Sequence, residues 1–71
     1  MKGVQLMRKK LKEARQKAGM TQKQIAEYLE ISERYYRQIE AGQRTGDFVL
    51  WDSLEDLLEI HQRLLRKISS D

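Results

Sequence analysis

The sequence predicts an all-α fold, a compact bundle of five short helices with two of them joined by a tight turn. Three observations carry that expectation. There is no proline, there are four glycines, and 35% of the residues are charged, a composition that suits helices. Apolar residues recur three and four apart, the period of a helix with one buried face. Residues able to cap a helix (Thr21, Ser32, Asp47 and His61) stand just before periodic stretches. A length of 71 residues has room for one domain, 1–71, with a small core spanning about residues 6–68.

Met1 to Gln5 has no periodicity and is expected to fray. The first helix is expected from about Leu6 to Ala18, with Met7, Leu11, Ala14 and Ala18 as its apolar stripe. Gly19 ends it, and Met20 drops back into the core. The second helix, about Gln22 to Leu29, is capped by Thr21, with Gln24 as the reciprocal partner of a capping box. Its Ile25, Ala26 and Leu29 share one face, and the small Ala26 lets a second helix approach closely. Glu30 makes the turn and Ile31 plugs it. Ser32 caps the third helix, about Glu33 to Ala41, whose inner face holds Tyr36 and Ile39 and which ends at Gly42.

Gln43 to Asp47 is a loop, with Gly46 and Asp47 as its turn residues. A fourth helix begins at the Asp47 cap and carries Leu50, Trp51, Leu54, Leu57 and Leu58. Trp51 reads as core or as subunit interface. No glycine or proline separates Leu58 from Leu64, so one long helix is conceivable. A short internal parallel points instead to a break: Leu29 to Arg37 lines up with Leu58 to Arg66. If the first copy turns, so does the second, with His61 as cap and a fifth helix over about Gln62 to Ile68. Ser69 to Asp71 reads as a tail.

The stretch 21–42 carries a recognisable pattern: Thr21-Gln22, Ala26, Leu29, Ile31-Ser32, Tyr36, Ile39-Glu40 and Gly42. Arg15 and Gly19-Met20 extend it upstream, and Leu50, Leu54 and Leu57-Leu58 extend it weakly downstream. On these residues the chain, from roughly Leu6 to Ile60, resembles the lambda-repressor-like (Cro/repressor, or XRE) helix-turn-helix family. One departure is Glu30, where the family usually has glycine. A left-handed backbone there costs a non-glycine residue roughly 1 kcal/mol or more.

Composition limits the alternatives. The net charge is +3, a balance that suits a polyanion partner. Its distribution is uneven: residues 8–17 hold six basic side chains against Glu13, whereas residues 47–59 hold five acids and no base. The basic cluster is either a solvated face or a phosphate-contacting one. With one histidine and no cysteine, neither a His-Cys metal site nor a Cys-His catalytic pair can form within the chain. There is no Gly-rich phosphate loop, and no enzyme activity or cofactor is expected. No apolar run approaches the ~20 residues of a bilayer span, and the N-terminus lacks a signal-peptide core, so a cytoplasmic protein is expected.

The resemblance implies double-stranded DNA as partner, with the third helix in the major groove. Its outer face carries Glu33, Arg34, Arg37 and Gln38, all able to bond base edges. Glu33 either accepts from cytosine or supports the helix start and pairs with Arg37. DNA-backbone candidates are Thr21, Gln22, Ser32, Tyr35, Gln43 and Arg44. Gln22 matches a phosphate-binding family residue, and Gln43 and Arg44 follow the third helix where members touch the backbone or minor groove. The resemblance also implies an ion pair between Arg15 and Glu40 and burial of Tyr36. The expected activity is transcription regulation, in particular repression, by a homodimer on a near-palindromic operator, with Trp51, Leu64, Leu65 and Ile68 at the dimer interface. An antitoxin-type regulator that also binds a protein toxin, and a helical protein-interaction module without DNA, are the rival readings.

Overall fold

The computed structural model describes residues 6–70. In chain order its elements are β1 (Leu6–Met7), α1 (Lys9–Lys17), α2 (Gln22–Leu29), α3 (Glu33–Glu40), α4 (Phe48–Leu58), α5 (Gln62–Leu65) and β2 (Ser69–Ser70). The architecture is all-α, with five helices among the described residues and one two-residue antiparallel pairing of the chain ends. The pairing sets Leu6 opposite Ser70 and Met7 opposite Ser69. The expected fraying of Met1 to Gln5 lies outside the described residues.

The caps explain most helix boundaries. Thr21 and Gln24 form a complete capping box at α2. Ser32 accepts from the Tyr35 amide at α3, Asp47 from the Leu50 amide at α4, and the His61 ring from the Arg63 amide at α5. Glu30 closes α2 in the left-handed conformation, φ 59° and ψ 41°. The bonds Ile31 N–H to Ala26 O and Glu30 N–H to Glu27 O complete a Schellman turn around it. Glu59 takes the same left-handed conformation after α4, at φ 56° and ψ 38°, with its amide on Glu55 O. The internal parallel in the sequence is therefore a parallel in backbone geometry.

Two expected elements differ. Helix 1 does not begin at Leu6, because Leu6–Met7 is extended and Arg8 is the cap residue. The Arg8 amide donates to Glu40 O at 2.9 Å, a tertiary bond that holds this segment out of the helix. Ala18, expected on the apolar stripe, is exposed at the C-cap, since α1 ends one residue earlier. Likewise α5 stops at Leu65, short of Ile68, and the expected tail contributes Ser69–Ser70 to the strand pairing.

The core is Leu11, Ala14, Ile25, Ala26, Tyr36, Ile39, Leu50, Trp51, Leu54 and Leu65. Met20, Leu29, Ile31, Leu57 and Leu58 pack half-buried against it. Gly46 crosses this core closely, at φ 80°, and a Cβ there would lie 3.0 Å from Ile39 Cδ1. The expected dimer residues separate into two groups. Trp51 and Leu65 lie inside the protomer's own core, 2% and 0% exposed, and offer no surface to a partner in this structure. Trp51 is held inward by its indole N–H, which donates to Thr45 O at 2.6 Å, and Leu65 closes the same core from α5. Leu64 and Ile68 stay exposed, and so do Phe48 and Val49 at the start of α4, which the sequence pattern did not single out.

The left-handed glutamate sets a measurable cost. Replacing Glu30 by glycine removes a Cβ penalty of ~1–2 kcal/mol against a smaller entropic loss, so Glu30→Gly is expected to stabilise the fold by about 0.5–1 kcal/mol. A thermal melt reads this as a higher midpoint. A lower midpoint would mean that the glutamate side chain contributes more than its backbone costs.

Candidate nucleic-acid interface

The candidate interface is the outer face of α3, and its orientation is decided on the inner face. Tyr36, Ile39 and Glu40 are all buried. With these three inside, helical geometry turns Arg34 and Arg37 outward, and both are exposed. Glu33, Tyr35 and Gln38 flank them half-buried. Each of these arginines, one turn apart on an exposed helix face, carries the planar two-donor fork that fits the O6 and N7 acceptors guanine offers in the major groove.

Glu40 is a buried carboxylate, 4% exposed, with four hydrogen bonds. Arg15 approaches it from α1 with Nε on Oε2 at 2.8 Å and Nη2 on Oε1 at 3.2 Å. Gln22 Nε2 from α2 donates to Oε1 at 3.1 Å, and the Tyr36 hydroxyl donates to Oε2 at 2.8 Å. Arg15 also caps the α1–α2 link, with Nη1 on Met20 O at 2.9 Å. One carboxylate thus joins three helices, and both of its oxygens are doubly satisfied. The shifts agree with this geometry. The hydrogen bond to Glu40 raises the Arg15 pKa above its ordinary value, despite burial acting the other way. Burial first, then the Glu40 charge, pushes the Tyr36 phenol well above its ordinary range.

The other sequence-predicted positions fall as follows. Arg37 Nη2 and Glu33 Oε2 are 2.7 Å apart, an exposed i,i+4 pair. Such a pair contributes only ~0.3–0.5 kcal/mol, so Arg37 can exchange Glu33 for an external acceptor at little cost. Thr21 and Ser32 use their side-chain oxygens as helix caps and remain at the surface. Gln22 is tied to Glu40 by its amide nitrogen. Gln43 and Arg44 are exposed, and both their amides donate to Gln38 O, at 2.8 and 3.2 Å, which folds the loop back beside α3.

One residue near this site was missed. Arg8 sits in the basic run 8–17, yet it is only 4% exposed. Its Nη1 donates to Ile39 O at 2.6 Å and Arg44 O at 2.8 Å, and its Nε to Arg66 O at 3.0 Å. Its guanidinium lies over the Trp51 ring, 5.1 Å from the centroid. Burial, then the charge of Arg66, lowers its pKa. No periodicity or motif distinguishes it from the surface lysines beside it.

A family model described as helix-turn-helix matches residues 11–61. The chain belongs to the lambda-repressor-like (XRE) helix-turn-helix family. This is a family of DNA-binding transcription regulators. No curated protein and no solved structure matches the chain. The family match runs from α1 to the His61 cap, so β1, Arg8, α5 and β2 lie outside it. Among the described residues no helix is long and apolar enough to cross a membrane, and no group of side chains is arranged to hold a metal ion.

Two outcomes follow from the Glu40 cluster. Breaking a buried pair strands a charge at a cost of ~3–5 kcal/mol, so Arg15→Met and Glu40→Gln are each expected to be strongly destabilising. Their double-mutant cycle is expected to show coupling well above the ~0–1 kcal/mol of exposed pairs; zero coupling would mean that the two side chains act separately. Tyr36 gives a pH dependence. Its folded pKa is raised above the ordinary value of 10.0, so its stabilising contribution is complete below pH 10.0 and is lost as pH rises beyond that. Urea unfolding across this range is expected to show stability falling with pH, and a shallower fall in Tyr36→Phe. Equal slopes in the two proteins would count against a buried, protonated Tyr36.

Proposed function

We propose that the protein is a sequence-specific double-stranded-DNA-binding regulator of transcription that represses by binding a near-palindromic operator as a homodimer. One observation carries the reading: Tyr36, Ile39 and the Glu40 cluster hold α3 with Arg34 and Arg37 exposed on its outer face. Glu33 and Gln38 flank the arginines and widen the set of base edges the face can address. Arg44 and Gln43, from the loop folded back on Gln38, suit phosphate contacts, and the hydroxyls of Thr21, Ser32 and Tyr35 can add weaker ones. Gln22 reaches a phosphate only with the part of its amide that Glu40 leaves free.

A single module covers one half-site, and a two-fold dimer supplies the missing affinity. Leu64 and Ile68 remain as apolar candidates for that dimer surface. Phe48 and Val49, 80% and 72% exposed, are the larger apolar surface at the start of α4.

Selection from a random duplex library, followed by footprinting, tests the reading. A recovered inverted repeat supports both the DNA contact and the dimer. Base contacts change the preferred sequence, whereas phosphate contacts weaken all sequences alike. Arg34→Ala or Arg37→Ala is expected to lose ~1–3 kcal/mol on the selected site and relax preference at one base pair per half-site. Arg44→Ala is expected to weaken binding evenly and to lower the salt dependence by about one phosphate. Uniform losses in both α3 variants would remove α3 as the reading head. Binding without any salt dependence, or no duplex binding at all, would favour a protein-interaction module.

A further inference from the structure

Arg8 is buried, bonds three main-chain carbonyls, and lies outside the span that matches the family. A buried guanidinium is costly to desolvate and is retained only where its donors are used. The three acceptors lie 31, 36 and 58 residues along the chain from Arg8. Ile39 O is in the last turn of α3, Arg44 O is in the following loop, and Arg66 O is the cap of α5. Carbonyls at helix C-terminal ends carry partial negative charge, which suits a cation. The Arg8 main chain adds a fourth tie, its amide donating to Glu40 O at 2.9 Å. The guanidinium lies in turn over the Trp51 ring.

The effect falls on Arg44. Its amide donates to Gln38 O at 3.2 Å and its carbonyl accepts from Arg8 at 2.8 Å. The main chain of this loop residue is therefore pinned on both sides, while its side chain is exposed. Fixing the backbone beforehand removes an ordering cost that binding would otherwise meet.

We propose that Arg8 is a positioning residue for DNA binding: by clamping the carbonyls of Ile39 and Arg44 from inside, it aims the Arg44 side chain at a backbone phosphate beside the groove that α3 enters. The role rests on the function proposed above. Arg8 touches no DNA in this arrangement and acts through Arg44. The clamp also joins α5 to the reading head, since the same guanidinium holds Arg66 O.

The test uses the full chain and the duplex recovered by selection. Arg8→Lys keeps the charge and the stem but loses the planar fork that reaches carbonyls in separate directions. Arg8→Met removes the donors altogether and serves as the second variant. Each is measured alone and in the Arg44→Ala background, at a temperature where thermal melts show the variant folded. Arg8→Lys is expected to weaken binding about three- to tenfold with base preference unchanged, and to have less than about a twofold effect once Arg44 is alanine. A general loss of stability would not single out Arg44, so Arg34→Ala serves as the control background, in which the full loss is expected to persist. Equal losses in the Arg44→Ala and Arg34→Ala backgrounds overturn the proposal.

Amide exchange in the free protein reads the clamp without DNA. Exchange at Gln43 and Arg44 is expected to quicken in Arg8→Lys while Ile25 and Ala26 in α2 keep their rates. Unchanged rates at Gln43 and Arg44 overturn the clamp itself. If the wild-type protein binds no duplex, the functional reading fails and the positioning role fails with it, while quickened exchange still identifies the clamp as a structural tie.

Discussion

The Glu40 carboxylate is the constraint on which the rest of the molecule depends. A carboxylate with 4% exposure is unfavourable unless its oxygens are bonded and its charge is matched. Here Arg15 matches the charge, and Arg15, Gln22 and Tyr36 together occupy both oxygens. Each donor sits on a different helix or a different turn, so the requirement to satisfy one group fixes the mutual placement of α1, α2 and α3. Apolar packing alone would leave more latitude. Ile25, Ala26 and Ile39 can slide against one another by small amounts at little cost, whereas a bidentate arginine contact cannot. The rotation of α3 about its own axis, and hence which side chains face outward, follows from this polar centre.

A second buried cation repeats the strategy on the other side of α3. Arg8 has backbone carbonyls for acceptors, and an aromatic face in place of a carboxylate. Between them the two arginines hold both ends of the segment Met20 to Arg44. A chain of 71 residues can bury only a small apolar core, and the interior here is correspondingly mixed: ten apolar residues with two arginines and one glutamate among the described residues. Such groups add little net stability over apolar isosteres, and what they supply is a defined geometry.

Much of this was readable in the sequence because it is local. The caps at Thr21, Ser32, Asp47 and His61 act over two or three residues, and each is present. The Leu-Glu-Ile turn is repeated in sequence and in backbone angles, so one copy foretold the other. Burial of Tyr36 and Ile39 followed from spacing, and with it the outward direction of Arg34 and Arg37. What was not readable is non-local. Leu50, Trp51 and Leu54 stood on the expected stripe of the fourth helix and are buried, but the exposed apolar surface that Phe48 and Val49 form beside them was not singled out. Trp51 was read as core or interface, and the Thr45 carbonyl and the Arg8 guanidinium decide in favour of core. Arg8 and the pairing of Leu6–Met7 with Ser69–Ser70 depend on partners at the far end of the chain, which no window of sequence contains.

The separation between Arg8 and Arg66, 58 residues, also orders events in time. The helix-turn-helix closes through bonds between near neighbours, such as Ile31 to Ala26 and Gln43 to Gln38, and loops of that size close quickly. The arm to Arg66 cannot close until α5 has been made and has docked, whereas the arms to Ile39 and Arg44 need no residue beyond 44. A nascent chain therefore has the partners that hold the loop after the reading helix before it has the one that joins α5 to it. In opening, the sequence reverses: the joined chain ends release first, and the local turns outlast them.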